Sequence, residues 1–198
     1  MERFDRWAAT YDQAPMQRWL LRPAHAKMLD LIAQERPDNP PHSIIDVGCG
    51  TGRLLQAASV RWPEVKLFGV DPAEHMIMEA RHLNPDGIFN LGLAESLPFP
   101  DQVADLVLSS LSFHHWADQK KGLQEIARVL RPGGWLCLAD HTFVLSKLVG
   151  TKVRTGGQVR KLISDVGLDL RQHRRVRFIL VTLAQKPMPG ESLGRSRG

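Results

Sequence analysis

Apolar and polar positions change period along the chain, and each change marks an element. Over residues 1–38, Trp19, Leu20, Met28, Leu29, Leu31 and Ile32 recur at three-to-four spacing, which predicts helix. Pro37, Pro40 and Pro41 end it. Ser43–Val47 is then a short apolar run closed by a glycine-rich turn, and Arg53–Arg61 is again helical in pattern. Val65–Val70 reads as a strand ending on Asp71, followed by a helix over Ala73–Leu83. Ile88–Leu91 and Ala104–Ser109 read as further strands, and Asp118–Leu130 as a helix. Arg131-Pro132-Gly133-Gly134 predicts a turn into a strand at Trp135–Ala139.

Short buried strands alternating with helices build a parallel, doubly wound sheet. Beyond it, Gly157–Val166 reads as a helix stopped by Gly167. Two β-type runs follow, Leu168–Gln172 and Val176–Leu183, joined by His173-Arg174-Arg175. So short a connection permits only an antiparallel pair. The expected fold is therefore α/β: a doubly wound, mostly parallel, Rossmann-like sheet of seven strands with a C-terminal antiparallel hairpin. One domain spans 1–186, with 1–38 as a helical lid, and 187–198 reads as a flexible tail.

Composition narrows the classes. With 198 residues, 43% of them hydrophobic, the chain can bury a single core. No apolar run approaches the roughly 20 residues of a membrane-spanning helix. The N-terminus mixes both signs of charge without a signal-like apolar stretch, which predicts a cytoplasmic protein. Two cysteines, Cys49 and Cys137, exclude a disulfide scaffold and a four-cysteine zinc site. The net charge of +5 is concentrated between Lys147 and Arg177, where nine Lys/Arg face two acids. That stretch is read as a solvated, mildly basic surface.

The chemistry concentrates in Ile44–Leu54 (IIDVGCGTGRL). Glycines at 48, 50 and 52 follow a strand and open a helix, so the backbone can turn tightly against a ligand. A nicotinamide-binding G-x-G-x-x-G would need glycine at 53, where Arg53 stands. Asp46, just before the turn, suits an ammonium group better than a pyrophosphate. Asp71, at the tip of the next strand, can accept from ribose hydroxyls. A ligand with a ribose and a cationic amino acid, and no phosphate, meets both charges: S-adenosylmethionine.

At this point the chain resembles the class I S-adenosylmethionine-dependent methyltransferases, and most nearly the small-molecule group of ubiquinone and menaquinone biosynthesis. The resemblance rests on Phe4–Asp12, Asp46–Gly52 (DVGCGTG), Gly69-Val70-Asp71, Ala94–Phe99 (AESLPF), Ala104–Ser110 (ADLVLSS) and Leu130–Gly134 (LRPGG). It implies that Asp46, Gly48 and Gly50 lie at the methionine end and that Asp71 holds the ribose. Pro72 and Met76 would pack on the adenine, and the Ala94 amide would meet a ring nitrogen. Ser109 and Ser110 would line the reactive end, and Tyr11 would close the site from the lid. The family's aspartate before that alanine is replaced by Leu93, which Asn90 or Glu95 could make good; the loss of one hydrogen bond is worth about 0.5–1.5 kcal/mol.

Methyl transfer from a sulfonium needs positioning, and a base when the acceptor must lose a proton. His114 and His115, directly after the fourth strand, are the candidate catalytic residues, with His141 a third. No nearby acidic cluster completes a metal site in the sequence, so no metal is expected. The segments covering the pocket are short and partly apolar, which predicts a small, partly hydrophobic acceptor rather than nucleic acid. The rival readings are an RNA or protein methyltransferase using the basic 147–177 stretch, and a cofactor-binding protein without catalysis. Oligomeric state and the atom methylated are not encoded in any motif of the chain.

Overall fold

Ser43–Val47 offers solvent no polar face, and in the computed structural model it becomes β1, buried along its whole length. The structure describes residues 15–36, 38–141, 154–176 and 178–190. Around β1 stand β2 (Lys66–Asp71), β3 (Ile88–Leu91), β4 (Ala104–Ser110), β5 (Leu130–His141), β6 (Asp169–Val176) and β7 (Ile179–Gln185). They form one seven-stranded sheet in the order β3-β2-β1-β4-β5-β7-β6. The pairs from β3 to β5 are parallel, and β7 runs antiparallel to both β5 and β6. The expected fold class is the observed one.

Among the described residues the α-helices are α1 (Pro15–Glu35), α2 (Arg53–Arg61), α3 (Glu74–Leu83), α4 (Gln119–Val129) and α5 (Gly156–Asp165). Alternate strand residues feed two apolar layers. On one face Met28, Leu31, Leu55 and Ile77 pack with Ile44, Leu106 and Leu108. On the other, Leu123, Ile126 and Ile163 pack with Ile45, Val107 and Leu136. Among the described residues no helix is long and apolar enough to cross a membrane.

Two expectations give way. Arg131-Pro132-Gly133-Gly134 does not precede a strand but belongs to β5, where the register slips between Ala104 and Leu106 of β4. Gly133 takes φ 75° there, and Lys186 closes the irregularity by exchanging backbone hydrogen bonds with Gly133 and Gly134. The glycines thus bulge a strand rather than end one. Likewise His173-Arg174-Arg175 is not the hairpin connection but part of β6, which runs to Val176 before β7 begins at Ile179. The sheet places β6 at an edge, where charged side chains reach solvent without leaving the ladder.

The winding reverses at β1, which pairs with β2 on one side and β4 on the other. A crevice outside the carboxyl ends of those strands is the expected ligand site of such a sheet. The ends of β1, β2, β4 and β5 carry the candidate residues. Tyr11 lies outside the described residues, as do the first part of the expected lid and the last part of the expected tail.

Candidate active site

The turn after β1 is built from three left-handed glycines, Gly48 (φ 73°), Gly50 (φ 51°) and Gly52 (φ 78°). The amides of Gly48 and Cys49 donate to the Val70 carbonyl at 2.8 and 3.0 Å, which folds the turn over β2. The glycines are not equivalent. A Cβ on Gly48 would stand 2.3 Å from the Ser112 side chain, and one on Gly52 would stand 2.6 Å from Asn84 Nδ2. A Cβ on Gly50 would meet nothing within 4 Å. Gly50 therefore borders open space, the cradle in which a ligand can lie against backbone.

Two carboxylates flank that cradle. Asp71 braces it, with Oδ2 accepting from the Gly50 amide and Oδ1 from the Ala73 amide, both at 2.9 Å. Asp46 is only 2% exposed, and its Oδ1 has no hydrogen-bond partner among the described residues. Burial, and then the charge of Asp71, push the Asp46 carboxyl up to about 8. A buried acid beside a second acid needs either a proton or a cation. The ammonium of an amino-acid ligand meets that need, so the donor set fits S-adenosylmethionine. Cys49, in the same turn, is held far above the ordinary thiol range by burial and by both acids, so it stays a neutral thiol.

Of the residues expected on an adenine side, Met76 is buried against Ala73, while Pro72 is exposed. Ala94 packs its methyl into the core. Glu95 turns its carboxylate to the Asp118 amide, 3.0 Å away, at the start of α4. Leu93 is 55% exposed. The loop is held from behind: Glu125 accepts from the Leu97 amide at 2.8 Å, and Arg128 donates to the carbonyls of Leu97 and Phe99.

Past β4, the two serines do different work. Ser109 is fully buried and hydrogen-bonded to Ser112, whose hydroxyl donates to the Val47 carbonyl. It supports the turn rather than opening onto the crevice. Ser110 lies 3.2 Å from Nε2 of His25, which α1 carries across. Burial pushes that imidazole down to about 4.

His114 and His115 form a single 3-10 turn after β4, their rings 3.9 Å apart. His114 is anchored twice on Asp140: its amide donates to Oδ2 at 2.9 Å, and Nδ1 lies 2.7 Å from Oδ1. Asp140 Oδ1 also accepts from the His141 amide at 2.7 Å. The His141 ring sits 5.0 Å from that of His114, and burial lowers its pKa. Desolvation and the adjacent His114 push His115 down to about 4, too weak a base for the role expected of a near-neutral histidine. Asp140 is what sequence reasoning missed. Its signal was available: an acid ending the buried apolar run LCLAD is as anomalous as Asp46 in β1.

Known proteins share this kind of domain and this fold. A family model described as a methyltransferase domain matches residues 45–138. An uncharacterized methyltransferase of Bacillus subtilis, YcgJ, is 33% identical over 123 residues, covering 60% of this chain and 48% of that protein. A demethylmenaquinone methyltransferase of Thermotoga maritima is 28% identical over 140 residues, covering 71% and 60%. The chain thus spans less than two thirds of these relatives. Among solved structures, a chain from the complex between the Haloferax volcanii Trm112 methyltransferase activator and a methyltransferase superposes with a TM-score of 0.76. It is 22% identical, and the match covers 93% of this chain and 97% of that one, a likeness of fold.

Proposed function

We propose that this chain, whose residues 45–138 match a methyltransferase-domain family, transfers a methyl group from S-adenosylmethionine to a small, partly hydrophobic acceptor by in-line displacement. The observation that carries the reading is the unpaired, buried oxygen of Asp46 beside the open face of Gly50. S-adenosylmethionine is the family's cofactor, and it supplies an electrophilic methyl on a good neutral leaving group.

The chain's own residues bind and orient. Asp46 would meet the ammonium, the open face of Gly50 would let the methionine end lie on backbone while Gly48 shapes the turn against Ser112, and Asp71 would take the ribose. Pro72, Met76 and Ala94 form the adenine side. Glu95 acts by holding the start of α4, and Ser110 stands with His25 at the reactive end. In this reading His114, held by Asp140, accepts a proton from the acceptor, with the His115 ring 3.9 Å from its own. Tyr11 would close the pocket from the lid. The name of the Thermotoga relative, a demethylmenaquinone methyltransferase, supports an acceptor with an apolar ring.

Against nucleic acid, part of the basic stretch is already engaged within the chain. Lys161 pairs with Asp165 at 2.8 Å, and Arg154 is tied to Gln119. A second reading, activation by a partner protein, has one observation in its favour: the Haloferax complex contains an activator. Co-purification from a native host would test it.

The deciding experiment is a thermal-shift titration with S-adenosylmethionine, S-adenosylhomocysteine and NAD, on the wild type and Asp46→Ala. At a hundredfold excess over Kd, binding adds about 2.7 kcal/mol, a rise of roughly 5–10 °C in a domain of this size. The expected result is a shift with both adenosyl ligands, none with NAD, and loss in the variant. No shift with any ligand, from cofactor-free protein, would refute the reading.

A further inference from the structure

Three potential metal ligands meet at the carboxyl ends of β4 and β5. His114, Asp140 and His141 each offer one ligand atom, and the three atoms lie within 4.8 Å of one another. Nδ1 of His141 is buried and has no hydrogen-bond partner among the described residues. The His114 side chain is 4% exposed and that of Asp140 is 11% exposed, so water competes poorly for either. Asp140 and His141 also line a small cavity with Phe113, Leu138, Arg154 and Thr182, which leaves room beside the cluster.

We propose that His114, Asp140 and His141 form a binding site for a divalent metal ion of the zinc class. Two imidazoles and one carboxylate are a donor set such ions take, with at least one position left open for water or a substrate oxygen. Ligand atoms around a tetrahedral zinc stand about 3.3 Å apart, given bonds of roughly 2.0–2.1 Å. The spread here closes to that with side-chain movement of up to about 1.5 Å. The unpartnered His141 nitrogen gains a partner in the process. The His114–Asp140 contact gives way to coordination, the carboxylate keeping its bonds to the two backbone amides. The remaining chemistry rests on the methyltransferase reading: an ion with an open position at this rim of the sheet would select acceptors that present an oxygen ligand. His114 then serves as a ligand rather than as the proton acceptor.

The test needs neither cofactor nor acceptor. The full chain is stripped with chelator and titrated calorimetrically with zinc chloride alone, then with cobalt(II) read by visible absorption. Wild type is expected to take up one equivalent and to give the intense cobalt spectrum of a low-coordinate nitrogen–oxygen site. His141→Ala is expected to weaken binding by at least tenfold and abolish that spectrum. Asp140→Asn should do the same, with melting curves confirming that each variant folds. His141→Ala is the decisive variant, because among the described residues its Nδ1 has no hydrogen-bond partner to lose. Absence of binding by wild type, or an equal uptake by wild type and His141→Ala, overturns the proposal. Either result leaves the thermal-shift response to S-adenosylmethionine untouched, so the two readings fail separately.

Discussion

The charge state of single buried groups makes this protein's stability turn with pH in two directions. Asp46 titrates at about 8 in the fold against 3.8 ordinarily, so between those values the folded chain holds the extra proton. Stability of the ligand-free protein should therefore fall as pH rises from 4 to 8, and Asp46→Asn should remove that slope in urea melts. His25 runs the other way. Its pKa of about 4 against 6.5 means that the unfolded chain binds the proton first, so stability is lost as pH falls through that window. His25→Phe should flatten the acid limb of the same melts. The glycines separate fold from ligand. Gly50→Ala adds left-handed strain of about 1–2 kcal/mol and fills the cradle, so calorimetry should show a folded protein without adenosyl-ligand binding. Gly48→Ala drives a methyl into Ser112 and should lower the melting temperature further, overpacking adding about 1–3 kcal/mol.

Between residue and fold, the loop from Leu93 to Phe99 depends on α4. Asp118 caps that helix by accepting from the Lys121 amide, and Glu125 with Arg128 clasps Leu97 and Phe99. Glu125→Ala should accelerate hydrogen exchange at the Leu97 amide and weaken adenosyl-ligand binding severalfold, while the far-ultraviolet circular dichroism stays unchanged. Asp118→Ala should cost about 1 kcal/mol in denaturant unfolding through the lost cap. At this scale the sequence was readable wherever burial set the pattern: β1, β4 and the helices follow their apolar periods closely. It misled where Gly, Pro and charge signalled a turn but the sheet used them otherwise. Arg131–Gly134 became a bulge sealed by Lys186, and His173–Arg175 became the edge strand, because an edge makes no demand for apolar side chains.

Across the whole molecule, topology decides which ends meet. The order β3-β2-β1-β4-β5-β7-β6 collects the Gly48 turn, Asp71, Ser110, His114 and Asp140 at one rim of the sheet. That gathering was legible from the strand pattern alone, since parallel strands end on the same side. The pairing of His114 with Asp140 was not, because it depends on the register that sets Ser110 against Ala139. The same order has a consequence for biosynthesis. β7, the last of the strands to be made, lies inside the sheet, matched to β5 from Trp135–Gln185 to His141–Ile179. Until it emerges from the ribosome, the apolar Trp135–Ala139 stretch of β5 presents a bare hydrogen-bonding edge to the crowded cell. A nascent chain arrested before residue 179 should therefore be a chaperone client and an aggregation nucleus, and release as far as Gln185 should end both.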